Sequence, residues 1–108
     1  MEKLKPLSKK ANEVKEKYSK LNKKRWSVAE YAQGLIGDVG DLVKLIMAKK
    51  GFRKIEDVDQ KLAHELADCL WSVLVIADEL GINLEKEFIK NMDKLNKKLA
   101  VINKNGKI

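Results

Sequence analysis

Cysteine, proline and histidine each occur once in this chain, at Cys69, Pro6 and His64, and the aromatic side chains number six in all. A lone cysteine excludes an intrachain disulfide, and with a lone histidine it argues against a four-ligand zinc site. An unpaired thiol suits a reducing, cytoplasmic setting. With proline confined to position 6, the rest of the chain lacks the strongest helix breaker. The longest apolar run, around residues 69–77, falls far short of the roughly 20 residues a membrane-spanning helix needs. Charges run through the first 25 residues and leave no apolar signal-peptide region. A soluble protein without a membrane partner is expected.

What is present is charge and aliphatic side chains. The 108 residues are 44% hydrophobic and 36% charged, with no shift in composition along the chain, which predicts one domain over 1–108. The net charge is +7, but it is unevenly spread. Residues 1–25 hold 10 basic and 3 acidic groups, residues 26–85 hold 6 and 11, and residues 86–108 hold 7 and 2. Basic ends alone would suit a nucleic-acid arm. An acidic centre between them suits a site that holds a cation and a polyphosphate together.

Four helices are predicted and no strands. Apolar residues at 4, 7, 11, 14, 18 and 21 step by threes and fours, the stripe of an amphipathic helix. A second pattern runs from about Val28 to Lys49 and stops at Gly51. The third runs from about Asp57 to Leu80, with Asp57 or Asp59 able to cap its start and Gly81 its end. Asn83 caps a fourth, striped by Leu84, Phe88, Met92, Leu95 and Leu99, and residues 103–108 are expected to fray. The third helix stands apart, because residues 66–77, LADCLWSVLVIA, are apolar on nearly every side. One small chain offers too few neighbours to bury it, so self-association is expected.

The carboxylates carry the candidate chemistry. Asp38 and Asp41 are spaced i, i+3 on the second helix, and Glu65 and Asp68 share that spacing on the third. In an antiparallel hairpin Asp38 pairs in level with Asp68, and Asp41 with Glu65, because each pair is symmetric about Arg53. Acids converging beside an apolar helix lose hydration and repel one another, so they must take up protons or cations. An all-oxygen donor set favours Mg²⁺ or Mn²⁺ over zinc. His64 adjoins Glu65 in sequence but points about 100° away around the helix, which argues against its being a ligand beside that residue.

The stretch GLIGDVGD places Gly34, Gly37 and Gly40 in the middle of the second helix, each costing on the order of 1 kcal/mol relative to alanine. Steps of three clear side chains from one flank beside the acids. A ligand or another helix could approach the backbone there.

With these residues, GLIGDVGDLVKL followed after a spacer by HELADCLWSVLVIADELGINLE, the chain resembles the MazG-like all-α nucleoside triphosphate pyrophosphohydrolases over about residues 25–98. In pattern it is closest to the branch that includes the dCTP pyrophosphatases. The resemblance implies an antiparallel helical bundle assembled as a dimer or tetramer. It also implies Mg²⁺-dependent cleavage of a nucleoside triphosphate between the α and β phosphates, giving the monophosphate and pyrophosphate, in the house-cleaning of nucleotide pools. Asp38 and Asp41 stand where the last two glutamates of the family's first acidic motif would be, and Glu65 and Asp68 match its second. These four are the catalytic and metal-binding candidates. The chain departs from the pattern at Gly37, in the first acidic position, and at Asp38 and Asp41. Each aspartate is shorter than glutamate by one carbon–carbon bond, roughly 1.5 Å, which draws a metal toward the second helix or inserts water.

Lys44 and Lys61, one turn from Asp41 and Glu65, are phosphate-binding candidates together with Asn91, Lys94 and Lys98 on the fourth helix. Trp26 and Trp71 are base-stacking candidates. Two other readings compete. A weakened relative could bind nucleotides or serve as a helical oligomer without turnover. IGDVGDLVKLI also fits the I-G-x-x-G pattern of KH modules, but that loop grips a phosphate backbone and needs flanking strands, whereas this one carries Asp38 and no strand is predicted, so nucleic acid is not the expected partner.

Overall fold

The computed structural model describes residues 4–104, which form four helices in the order α1 (Leu4–Asn22), α2 (Val28–Lys49), α3 (Val58–Glu79) and α4 (Leu84–Lys104), with no strand among the described residues. The all-α expectation holds, and no described helix is long and apolar enough to cross a membrane. The KH reading lacks the strands it requires, and its glycine motif lies inside α2.

Local chemistry sets the helix ends. Pro6 falls in the first turn of α1, where a missing N–H breaks no hydrogen bond. Ser27 and Glu30 form a reciprocal capping box at the start of α2: the Glu30 N–H donates to Ser27 Oγ at 3.2 Å and the Ser27 N–H donates to Glu30 Oε1 at 3.1 Å. Gly51 (φ 89°) and Gly81 (φ 68°) end α2 and α3 in the left-handed region. At these ends Phe52 N–H reaches the Met47 carbonyl (2.9 Å) and Ile82 N–H the Ala77 carbonyl (2.8 Å), the long bond of a Schellman motif. Asn83 caps α4 through Oδ1, which accepts from the Lys86 N–H at 3.1 Å. Asp57 does not cap α3 with its side chain, because its own backbone is left-handed (φ 52°) and turns the carboxylate away from the first N–H groups. Asn103 and Lys104 extend α4 instead of fraying, and residues 105–108 of the expected tail lie outside the described residues.

α2 and α3 form the predicted antiparallel hairpin, the tightest packing in the chain, and α1 packs on α3. Lys49 pairs with Asp59 near the turn, and Asp38 faces Asp68 farther along. Ala11, Tyr31, Leu74 and Val75 make the core, with Leu4, Trp26, Trp71, Ile76 and Leu84 packed against them. α4 is anchored at its start by Leu84 and buries no residue of its own. Its stripe of Phe88, Met92, Leu95 and Leu99 is exposed, as are Leu66 and Leu70 of α3 and Ile36, Val39 and Val43 of α2. The radius of gyration is accordingly 17.6 Å, against about 13 Å for a compact domain of this length.

Candidate active site

The hairpin brings three of the four acids together. Asp38 from α2 and Glu65 and Asp68 from α3 are each half-buried, and one carboxylate oxygen from each lies within 4.8 Å of the others. Asp41 is exposed on the next turn of α2. It stands outside that triad but close enough for its charge to act on both Asp38 and Glu65. The helical spacing explains why the acids share a face, and the antiparallel register explains why Asp38 meets Asp68.

The electrostatics of the triad are unfavourable without a cation. Burial pushes the Asp38 carboxyl above its ordinary range, and the charges of Asp68 and Asp41 push it further. Burial likewise raises Glu65, followed by the charges of Asp38, Asp41 and Asp68. Glu65 Oε2 is sealed from solvent and has no hydrogen-bond partner. A buried carboxylate oxygen without a donor is costly unless a proton or a metal ion satisfies it. Even the neighbouring Cys69 thiol is raised, by burial and then by Asp38, Glu65 and Asp68. An oxygen-only set with one orphaned buried oxygen fits a hard divalent cation.

A cavity of about 500 Å³ opens beside the triad, toward the α2–α3 turn. Asp41 and Glu65 stand on its wall with Lys44 and Lys61, and Leu45 and Ile55 supply apolar surface. Both lysines next to the acids therefore face the same space as the acids. Asn91, Lys94 and Lys98 do not: they lie exposed along α4, which joins none of these walls.

Trp26 and Trp71 also stand apart from this cavity. They belong to an aromatic chain in which Tyr18 and Trp26, Trp26 and Tyr31, and Tyr31 and Trp71 have ring centroids 5.7, 5.5 and 5.7 Å apart. Trp71 Nε1 donates to the Ala11 carbonyl at 3.1 Å, and its ring borders an apolar cleft between α1 and α3 with Leu70 and Ala67. Packing in the core holds both indoles, the arrangement that large aromatic area favours.

His64 is the neighbour that sequence reasoning missed. Its Nε2 lies 3.1 Å from Asp68 Oδ2. The direction away from Glu65 was right, but the residue that matters is four positions on, one turn along the same face of α3.

Geometry of this kind is what a metal-dependent phosphate enzyme uses, and comparison with protein families agrees: residues 11–100 match the MazG nucleotide pyrophosphohydrolase domain. The chain belongs to this family. The match covers α2 and α3 entire, and with them all four acids. Comparison with curated proteins and with solved structures gives no match. As a MazG domain, the chain has a nucleotide pyrophosphohydrolase's helical framework, with its acids on the facing sides of the central hairpin.

Proposed function

We propose that this MazG domain hydrolyses nucleoside triphosphates between the α and β phosphates, with Mg²⁺ as its ordinary cofactor and Mn²⁺ as a substitute. The observation that carries the proposal is the orphaned, solvent-sealed Glu65 Oε2 within a three-carboxylate cluster, opening onto a cavity that also holds two lysines. Asp38, Glu65 and Asp68 would hold the cation, and Asp41 lies close enough to add charge or to hold a bridging water. When bound, Mg²⁺ supplies charge neutralisation for the polyphosphate and lowers the barrier to attack by water. Lys44 and Lys61 hold phosphate oxygens across the cavity from the acids. A carboxylate of the cluster with a raised pKa is suited to accept a proton from the attacking water near neutral pH. The role is house-cleaning of nucleotide pools in the cytoplasm.

The assembly belongs to the same reading. Asn91, Lys94 and Lys98 lie on a helix whose apolar stripe has no partner in its own chain, so a second copy covering that stripe completes the bundle as a homodimer or homotetramer. A whole α4 with no buried residue is the observation behind it.

Chromatography of products after partial turnover of (d)NTPs with Mg²⁺ tests the reaction. Monophosphate and pyrophosphate should appear in equal amounts with no diphosphate, and Glu65→Gln or Asp38→Asn should lower turnover by orders of magnitude. Diphosphate with free phosphate would exclude this chemistry. Metal binding without turnover of any nucleotide would favour a weakened relative that only binds.

A further inference from the structure

We propose that His64 is a positioning residue for the metal-binding carboxylates: by donating from Nε2 to Asp68 Oδ2, it fixes the rotation of the Asp68 carboxylate toward Asp38 and Glu65. The inference rests on the metal-site reading above and extends it to a residue that is not one of the four acids.

The two side chains are one turn apart on α3, and their polar atoms are 3.1 Å from each other. An aspartate has a short arm with two rotatable bonds, and within the triad its neighbours are carboxylates, which offer no donor when ionised. Asp68 therefore has nothing inside the triad to orient it before a cation arrives. The imidazole supplies that donor from outside. It occupies a lone pair of Oδ2 and leaves the rest of the carboxylate available to the cation. Its own side chain is 72% exposed, and it stands on the wall of the cavity that holds Lys44, Lys61 and Glu65. Nothing packs against the ring that would give it a structural task. A carboxylate ligand held in its bound orientation loses less freedom on binding, and hydrogen-bonding partners of this kind commonly change metal affinity by about 10–100-fold. With the ring so exposed, the low end of that range is expected.

The test is a Mn²⁺ titration of the full chain, reading free Mn²⁺ by electron paramagnetic resonance, for wild type, His64→Ala and His64→Gln. Glutamine carries an N–H donor at similar reach but no imidazole. His64→Ala should weaken Mn²⁺ binding about tenfold, and His64→Gln should restore it to within about threefold of wild type. The Mg²⁺ concentration for half-maximal pyrophosphate release should rise in parallel in His64→Ala. Circular dichroism melts without metal should be unchanged, since the ring is exposed. Unaltered Mn²⁺ affinity in His64→Ala would overturn the proposal, and so would a His64→Gln variant no better than His64→Ala, which would make the ring nitrogen itself a ligand. Absence of Mn²⁺ binding by the wild type would remove the site and the proposal with it. The expected affinity pattern without any pyrophosphate release would support the role of His64 and count against the nucleotide reaction instead.

Discussion

Lys15 Nζ lies 2.7 Å from Glu79 Oε1, tying the middle of α1 to the last residue of α3 across 64 positions of sequence. The lysine is 4% exposed. Burial by itself would lower its pKa, but the bond to Glu79 and the charges of Glu79 and Asp78 outweigh burial, and the net shift is upward. Arg25 extends the network by gripping Glu16 with two bonds of 3.0 and 2.8 Å. Lys15→Met leaves Glu79 without its nearest cation and should cost about 2 kcal/mol in urea denaturation. Lys49→Ala removes an exposed pair with Asp59 and should change stability by less than about 0.5 kcal/mol. Equal effects would show that the buried position of Lys15 confers no advantage.

Metal linkage gives a second prediction. Mn²⁺ or Mg²⁺ should raise the melting temperature, because an ion that binds only the folded chain stabilises it. Asp68→Asn should abolish the increase, and a full response in that variant would place the cation elsewhere.

The pH dependence follows from the raised carboxyls of Asp38 and Glu65. A group that holds its proton more tightly in the folded state contributes stability below its unfolded pKa, about 4 for a carboxyl, and that contribution is lost as pH rises through the higher folded value. In metal-free protein, Glu65→Gln removes this loss. The stability of Glu65→Gln relative to wild type should therefore grow between about pH 4 and pH 7. Mn²⁺ must displace the same protons, so its affinity for wild type should fall on acidification across that window. A relative stability independent of pH would mean that Glu65 is ionised normally.

Gly34, Gly37 and Gly40 have no atom within 4 Å of where a Cβ would sit. Their helical backbone has no need of glycine, and nothing in the chain occupies the flank they clear. Gly34→Ala should thus stabilise the isolated chain by up to about 1 kcal/mol, read from chemical denaturation at a concentration where the protein is monomeric. A loss of stability under those conditions would mean that the flank is closed within a single chain.

Self-association is checked on the exposed α4 stripe. Light scattering at micromolar concentration should give at least twice the 12.3 kDa chain mass, and Leu95→Glu, on that stripe, should shift the distribution toward monomer. A well-folded wild-type monomer would leave α4 without the proposed partner.

Helix boundaries were readable because they are local. The α2 limits Val28 and Lys49, the glycine stops at 51 and 81 and the Asn83 cap depend on residues within a turn of each other, so periodicity and cap chemistry reach them. The Asp57 cap failed for a reason of the same kind but invisible in composition: a left-handed φ at the cap itself. The level pairing of Asp38 with Asp68 was accessible by counting from the turn. The separation of Asp41 from the triad was not, since it depends on side-chain reach across the packed interface.

The sequence by itself therefore determined the all-α class, the four helices and the placing of acids on facing sides of one hairpin, because hydrophobic period, capping and i, i+3 spacing act over a few residues. Tertiary structure alone decided which acids meet, that Glu65 Oε2 is sealed without a donor, that His64 turns to Asp68, and that Trp26 and Trp71 join the core while Lys44 and Lys61 face the cavity. Those outcomes depend on how far two helices approach and at what rotation, and packing of the whole core sets both quantities.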